Sequence, residues 1–326
     1  MPKLLRTLMF VMLIPAFGQV QGQTAAQSWP TKPVRFILSQ PAGSSPDIVA
    51  RLLGDRLSRM WGQPVVIDNR PGGQNVIGAQ AAARAPADGY NYYYGTTAAL
   101  VINIYTLKSM PYDPVKDFVP VGMIGMSPFV IAANPNFPAK TIAELIALAK
   151  AEPGKISMAT EGAKTFGGMV GEMLQVTAGT KFLHVPYSGV GPGIQDTVAG
   201  RTQITVQSGA AVMRFVTSGQ LRPIAVSGRG RLPELPNVPT ISATYPGFEY
   251  EGWHALVAPT GTPGEFIQRV NRDMDQALKD PEIVKRLADL GPITEGAGTP
   301  EALGQFLAAE RARWTKLVRD VGIQPE

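Results

Sequence analysis

The chain has 326 residues, a formal net charge of +5 and no cysteine. That length exceeds what one hydrophobic core usually serves, so it predicts two domains. The lack of cysteine excludes disulfides, thiol catalysis and thiolate metal sites, and the modest charge, spread without basic clusters, excludes a nucleic-acid-binding surface.

The N-terminus carries the pattern of a secretory signal peptide. Two basic residues precede a short apolar run at residues 8–17, and small residues follow it. The run is too short to span a bilayer. We therefore expect a signal peptide at residues 1–26, with cleavage after Gly22 or after Ala26, and an exported mature chain.

From Val34 onward, short apolar segments alternate with segments of helical spacing. VRFIL (34–38) predicts a strand, and residues 47–61 place their apolar side chains on one face of a helix. A second strand in PVVID, an Ala-rich helix at 77–85 and a third strand in YYYGT follow. Strands that alternate with helices in this way predict a parallel, doubly wound sheet.

A second alternating series starts at FVIAANP (129–135). TIAE (141–144) is a capping box that opens a helix. Three further strands, in ISMA, FLHVP and QITVQ, each end in a small-residue loop before a helix, and RPIAV (222–226) predicts another strand.

The last third of the chain is mostly helical. Asp280 and Thr299 each precede a proline and are predicted to cap helices. The final helix carries apolar side chains at helical spacing, which we interpret as core contacts. These helices are expected to return to the first unit.

The pattern predicts an α/β fold of two lobes, each a sheet flanked by helices. Residues 27–127 with residues 249–326 form the predicted lobe one, and residues 128–248 form lobe two. Two facing α/β lobes place their strand-end loops around one cleft, which is where open α/β sheets bind ligands.

The sequence contains partial matches to several catalytic and nucleotide-binding motifs, and none of these motifs is complete. GAKT lacks both glycines of a P-loop, GVGPG lacks the third glycine of a dinucleotide loop, and there is no G-x-S-x-G elbow. The two histidines, His184 and His254, do not supply a zinc ligand set. Ser44 and Ser45 have no neighbouring base, because Asp47 is better explained as a helix cap. We therefore expect a protein that is not an enzyme and has no cofactor or metal.

Several strand ends suit the capture of an anion. Gly43 lets the backbone approach a ligand closely, and Ser44 and Ser45 offer hydroxyls. The free N–H groups of the helix that follows carry a partial positive charge. TEGAKT (160–165) precedes a second helix in the same way, and GTT (95–97) ends another strand. The sequence thus predicts a site that holds a carboxylate and leaves it unchanged.

Six segments together resemble one family. They are KPVRFILSQPAGSSPDIVARLLGDRL, QPVVIDNRPGGQNVIGA, PADGYNYYYGTT, MPYDPVKDFVPVG, HVPYSGVGPGIQDTVAGRTQI and ALVAPTGTP. In this order they are similar to the tripartite tricarboxylate transporter substrate-binding family, also called Bug or TctC-type receptors. The resemblance covers essentially the whole chain from about Trp29.

The resemblance implies a type II-like periplasmic binding protein whose two lobes close on a small organic carboxylate. We expect a monomer that delivers this ligand to the membrane permease subunits of a tripartite tricarboxylate transporter. The implied ligand-binding positions are Pro41, Ala42, Gly43, Ser44, Ser45, Thr96 and Thr97 on lobe one, and Glu161, Gly162, Ala163, Lys164, Thr165, Tyr187, Gly189 and Gln207 on lobe two.

Five positions depart from the family's usual residues. Gln40 replaces an aromatic residue. Gln207 and Ser208 replace a common Asp-Asn pair, which removes a negative charge that the ammonium of an amino-acid ligand would need. Glu161 and Lys164 put charges into a loop that is mostly small and polar in relatives, and each either lies in the site or is solvated. We therefore expect a dicarboxylate, or a carboxylate with a second polar end, to bind better than an α-amino acid.

A second function of the same fold stays open. A ligand sensor that signals to a membrane sensor kinase would use the same cleft. Neighbouring genes for permease subunits would favour the transport receptor.

Overall fold

The computed structural model describes residues 29–290, 292–322 and 324–325, so the expected signal peptide lies outside the described residues. The strands are β1 (Val34–Leu38), β2 (Val65–Asn69), β3 (Asn91–Thr96), β4 (Phe118–Ala133), β5 (Ser157–Thr160), β6 (Leu183–Pro186), β7 (Ile204–Ser208), β8 (Arg222–Val226) and β9 (Glu251–Pro259). The α-helices are α1 (Ser45–Trp61), α2 (Val76–Ala83), α3 (Asn103–Thr106), α4 (Ile142–Ala151), α5 (Phe166–Ala178), α6 (Val190–Val198), α7 (Gly209–Thr217), α8 (Gly264–Leu278), α9 (Pro281–Leu290) and α10 (Pro300–Val321).

The strands pair into one sheet with two halves. Its order is β2–β1–β3–β9–β4–β7–β5–β6, and β8 also pairs with β4. We call β2, β1, β3, β9 and residues 118–128 of β4 the β1 half. The β5 half comprises β5, β6, β7, β8 and residues 129–133 of β4.

Helices flank this sheet, which confirms the predicted α/β class. The parallel arrangement holds within each half, for β1 with β2 and β3 and for β5 with β6 and β7. β4, which continues from one half into the other, and its neighbour β9 instead run antiparallel to the strands they pair with. The lobe boundaries stay a prediction.

β4 begins earlier than its sequence indicates. A strand was expected from Phe129, whereas β4 starts at Phe118. Pro120 and Pro128 cannot donate to a ladder, and the register against β9 shifts twice between residues 120 and 125. Prolines and register shifts interrupt the alternating pattern by which a strand is recognised, so the sequence predicted only the regular second part of β4.

Side chains of the central strands alternate between two buried layers. Phe36 and Leu38 pack in a layer with Leu53 of α1, and Ile37 points to the opposite layer, with Ala79 of α2. All of these side chains are buried. The period of two places α1 and α2 on opposite faces of the sheet.

Three predicted caps are present, and Asp280 caps α9 by accepting from the Glu282 amide at 2.9 Å. The Thr141 hydroxyl accepts from the Glu144 amide at 3.2 Å, and the Glu144 carboxylate accepts from the Lys140 amide at 2.6 Å. The Thr141 bond of the expected capping box is thus present, while Glu144 reaches one residue further back than in a standard box, to Lys140. Thr299 caps α10 by accepting from the Ala302 amide at 3.1 Å.

The last helix packs on the β1 half, as expected. Its Leu303, Leu307 and Trp314 side chains are buried in the core. The carboxylate of Glu310 accepts from the Trp253 indole nitrogen of β9 at 3.0 Å, which connects α10 to a central strand of the β1 half. No described helix combines the length and the apolar character that crossing a bilayer requires.

Candidate functional site

Four helices begin at one cleft between the two halves of the sheet. α1, α5, α6 and α7 each follow a strand, and their N-cap residues are Ser44, Thr165, Gly189 and Ser208. All four N-caps line a cavity of about 340 Å³. The first N–H groups of a helix lack intrahelical partners and carry partial positive charge, so the cleft is suited to an anion.

The loop between β1 and α1 is held by its own hydrogen bonds. The Ser44 hydroxyl donates to the Pro41 carbonyl at 2.7 Å, so its proton is not directed at a ligand. Asp47 lies in the first turn, where its carboxylate accepts from the Gly43 amide at 2.8 Å and pairs with Arg51 at 2.9 Å. Burial would raise the pKa of Asp47, but the bonds from Arg51 and Gly43 outweigh it and lower that pKa. The N-cap of α1 is Ser44, so Asp47 is a first-turn residue that accepts from a free backbone N–H of the preceding loop.

The loop between β5 and α5 folds back on its helix. The Thr165 hydroxyl donates to the Gly162 carbonyl at 2.8 Å and accepts from the Gly168 amide at 3.3 Å. A Cβ atom on Gly168 would lie 2.2 Å from the Gly162 oxygen and 2.6 Å from the Ala163 oxygen. A glycine at residue 168 is therefore what lets the loop rest on the first turn of α5.

Most of the predicted binding residues meet in this cleft. Those that line it are Pro41, Ser44, Ser45, Thr96, Thr97, Glu161, Gly162, Ala163, Lys164, Thr165 and Gly189. Thr97 also accepts from the Trp253 amide at 3.0 Å, which joins the end of β3 to β9.

Four predicted residues do not line the cleft. Ala42 and Gly43 are exposed, and a Cβ atom on Gly43 would meet no atom within 4 Å, so no described atom crowds that position. The Tyr187 hydroxyl donates to Asp196 at 2.7 Å, although the adjacent Gly189 lines the cleft. Gln207 is fully buried in β7, and the cleft is reached by its neighbour Ser208.

Several lining residues were not among the predicted set. Gln40 had been noted as a departure from the family but not as a binding residue, and Gln74, Asn75, Trp253 and His254 were missed. The available signal was the loop PGGQN, because glycines and asparagine favour turns that need positive φ. Gln74 and Asn75 indeed adopt φ angles of 54° and 77°.

Hydrogen bonds hold that strained pair of residues in place. The Ser39 hydroxyl donates to the Asn75 carbonyl at 2.8 Å, and the Asn103 amide donates to the Gln74 carbonyl at 2.8 Å. Positive φ in two successive non-glycine residues costs free energy and persists where the surroundings enforce it. The loop after β2 is thus fixed as one wall of the cleft.

Among the described lining residues, the ionisable side chains are Glu161, Lys164 and His254. Burial raises the pKa of Glu161 to about 7, and the nearby Thr165 hydroxyl opposes this with a smaller effect. Burial lowers the pKa of His254 to about 3, and its Nδ1 lies 3.0 Å from the Tyr94 hydroxyl. His254 is therefore neutral near pH 7. The described residues contain no cluster of three His, Asp or Glu side chains that could hold a metal ion.

Comparison with known proteins decides the family. The family model of the tripartite tricarboxylate transporter family receptor, TctC, matches residues 49–323. The chain belongs to this family. BugT of Bordetella pertussis is 33% identical over 319 residues, which cover 97% of this chain and 98% of BugT. The resemblance inferred from the sequence is confirmed.

Two solved structures of this kind share the fold. The R. palustris protein Rpa4515, solved with adipate, has a TM-score of 0.87 and 33% identity, over 91% of this chain and 100% of that one. MatC of Rhodopseudomonas palustris, solved with bound malate, has a TM-score of 0.82 and 26% identity, over 89% of this chain and 100% of that one. The TctC receptor is a binding protein and not an enzyme, as predicted.

Proposed function

We propose that this TctC receptor binds a small organic dicarboxylate in the cleft, in the periplasm, and delivers it to the membrane permease subunits of a tripartite tricarboxylate transporter. The observation that carries the proposal is the convergence of four helix N-termini on a cavity of about 340 Å³. That volume lies within the range of small-molecule sites.

Two carboxylates are favoured because the N-termini lie on opposite sides of the cleft. α1 belongs to the β1 half, whereas α5, α6 and α7 belong to the β5 half. Each side can bind one carboxylate through free N–H groups, and Lys164 adds a cation on the second side. Adipate and malate, the molecules in the structures of Rpa4515 and MatC, are both dicarboxylates.

An α-amino acid fits the cleft less well. Its ammonium would need an ionised acid nearby, and the acidic side chain among the described lining residues is Glu161, which a pKa of about 7 leaves only partly ionised. The partial positive charge of the four helix N-termini also disfavours a cationic group on the ligand. The location and the permease partner rest on the signal-peptide pattern and on the family to which the chain belongs.

A thermal-shift screen of mono-, di- and tricarboxylates and amino acids, followed by calorimetry, tests the proposal. A ligand that binds only the folded chain raises the melting temperature. We expect dicarboxylates to give the largest shifts and to be recovered chemically unchanged. Tight binding of an amino acid in preference to every dicarboxylate would refute the proposed ligand class.

Lys164→Ala provides the matched variant. It should weaken a dicarboxylate more than the corresponding monocarboxylate, because one charge partner is lost only for the ligand with two charges. Lys181→Ala, an exposed lysine outside the cleft lining, is the control and should change neither affinity. Equal losses for both ligands would remove Lys164 from the site.

A further inference from the structure

The amide group of Gln40 has a defined orientation in the cleft wall. Its Nε2 atom donates to Asn75 Oδ1 at 3.0 Å and to Thr96 Oγ1 at 3.1 Å, so both of its protons are used. The backbone carbonyl of Gln40 accepts from the Asn69 side chain at 3.0 Å, which fixes the residue further. With Asn75 as placed, the reverse orientation of the Gln40 amide would bring two amide oxygens together.

The other end of this amide lacks a donor. Gln40 Oε1 is buried and has no hydrogen-bond partner among the described residues, although Gln40 lines the cleft. The Ser45 hydroxyl, on the same loop, is also buried and unpartnered. A buried amide oxygen without a donor is unfavourable, and a group that supplies a donor is bound in preference to one that does not.

We propose that Gln40 determines ligand specificity by accepting a hydrogen bond from a hydroxyl group on the ligand, close to one of its carboxylates. The inference rests on the proposed carboxylate-binding function. Ser45 and the N–H groups of α1 can donate to a carboxylate, and Gln40 Oε1 can only accept. Both side-chain atoms are closed to solvent in the described structure, so a ligand reaches them through a small shift of this wall. An acceptor in the loop before α1 and donors at the start of α1 thus suit a hydroxycarboxylate.

An ammonium or a protonated carboxyl could also donate to Gln40. An ammonium would bring a full positive charge to the N-terminus of α1, which favours negative charge. A second carboxyl that stayed protonated would forfeit the charge that the helix N-termini attract. A hydroxyl donates without changing the net charge of the ligand, so it is the group that the wall selects.

Matched ligand pairs and a matched variant test this role by calorimetry. The pairs are succinate with malate, and adipate with 2-hydroxyadipate; aspartate tests the ammonium. We expect the hydroxylated member to bind about tenfold more tightly, as one well-placed hydrogen bond would give. In Gln40→Met the ratio within each pair should fall to within about twofold, because the thioether keeps the volume and loses the strong acceptor.

Within one variant, the ratio of the affinities for the two members of a ligand pair does not change when both affinities fall equally. A partly destabilised protein therefore still tests the role of Gln40. Gln268→Met, an exposed glutamine on α8, is the control and should keep the wild-type ratio. A wild type that does not prefer the hydroxylated member of either pair, or a Gln40→Met variant that keeps the preference, would overturn the role of Gln40. Aspartate binding more tightly than malate would assign the donor to an ammonium and refute the hydroxyl. Failure of every carboxylate to bind would instead refute the proposed function on which this inference depends.

Discussion

The Glu161 carboxyl lies in the loop between β5 and α5 and lines the same cleft as four helix N-termini. Burial raises its pKa to about 7, so near neutral pH the group is divided between a neutral and an ionised form. The neutral carboxyl can donate a hydrogen bond to a ligand carboxylate, whereas the ionised one repels it. Glu161 can therefore make anion binding depend on pH.

We expect dicarboxylate affinity to fall by about tenfold as the pH rises from 6 to 8, because Glu161 loses its proton in that range. Ordinary ligand carboxyls are ionised throughout it, and the pKa of His254 near 3 keeps that side chain neutral. The Glu161→Gln variant should bind a dicarboxylate with the same affinity at pH 8 as at pH 6, since the amide of the new side chain stays neutral. Calorimetry at pH 6, 7 and 8 measures the effect.

Glu172→Gln, an exposed acid on the same helix α5, is the control for this prediction. It should retain the pH dependence of the wild type. A wild type whose affinity is constant from pH 6 to 8 would show that Glu161 does not face the bound ligand.

At the scale of single residues, the sequence predicts positions better than the direction of each donor. Ser44 and Thr165 were expected to offer hydroxyls, and both line the cleft, yet each donates to a carbonyl of its own loop. A local acceptor two or three residues away is always within reach, and pattern analysis does not show that competition. Gln40 and His254 were not predicted as cleft residues, because their hydrogen-bond partners, Asn75 and Tyr94, are distant in sequence.

Among the elements, the start of α5 depends on two close backbone approaches. The loop at residues 161–165 rests against Gly168, where an added Cβ would lie 2.2 Å from the Gly162 oxygen. Gly191 lies in the first turn of α6, and an added Cβ there would meet no atom within 4 Å apart from its two chain neighbours. Both glycines lie near the start of a helix that begins at the cleft, and only Gly168 is crowded by another loop.

We expect Gly168→Ala to weaken ligand binding by at least about tenfold and to destabilise the fold by about 1–3 kcal/mol, because the loop must move away from the helix. Gly191→Ala should leave affinity unchanged and change the stability by less than about 1 kcal/mol, because its stabilising effect through the unfolded state is opposed by contact of the new Cβ with Pro192. Calorimetry and urea unfolding measure the two effects. Similar behaviour of the two variants would contradict the packing role of Gly168.

Elements with strong end signals are the ones that the sequence predicts well. α4 and α10 begin at the expected caps, and β1 and β8 have the expected bounds. The strand β4 was recognised only in part, because its prolines and register shifts contradict strand propensity and only pairing with β9 stabilises it. Tertiary pairing of that kind has no counterpart in local sequence.

For the whole molecule, the chain passes between the two halves of the sheet twice, along β4 and again where it enters β9. These two strands pair antiparallel from Phe118 with Pro259 to Pro128 with Glu251, and beyond this point β4 continues into the β5 half. A cleft that is lined from two halves, with only β4 and the segment that leads into β9 connecting them, is suited to closure by small rotations at these connections.

Small-angle scattering should therefore show a smaller radius of gyration with a saturating dicarboxylate than without it. The reason is that a carboxylate held at the N-terminus of α1 and another held at α5 draw the two halves together. A monocarboxylate, which reaches one side only, is the control and should contract the particle less. An unchanged radius with a bound dicarboxylate would contradict closure.

The position of β9 has a consequence for the order in which the chain folds. β9 inserts between β3 and β4, and its His254 contacts Tyr94, a residue 160 positions earlier in the sequence. Until residues 251–259 are available, β3 and β4 lack their common neighbour, and each keeps an open edge. Pairings of such long sequence separation form slowly, because the chain loses the entropy of closing a long loop before the stabilising contacts form. The strand that brings Trp253 and His254 into the cleft thus makes the binding site a late product of folding, after the β5 half can already have formed.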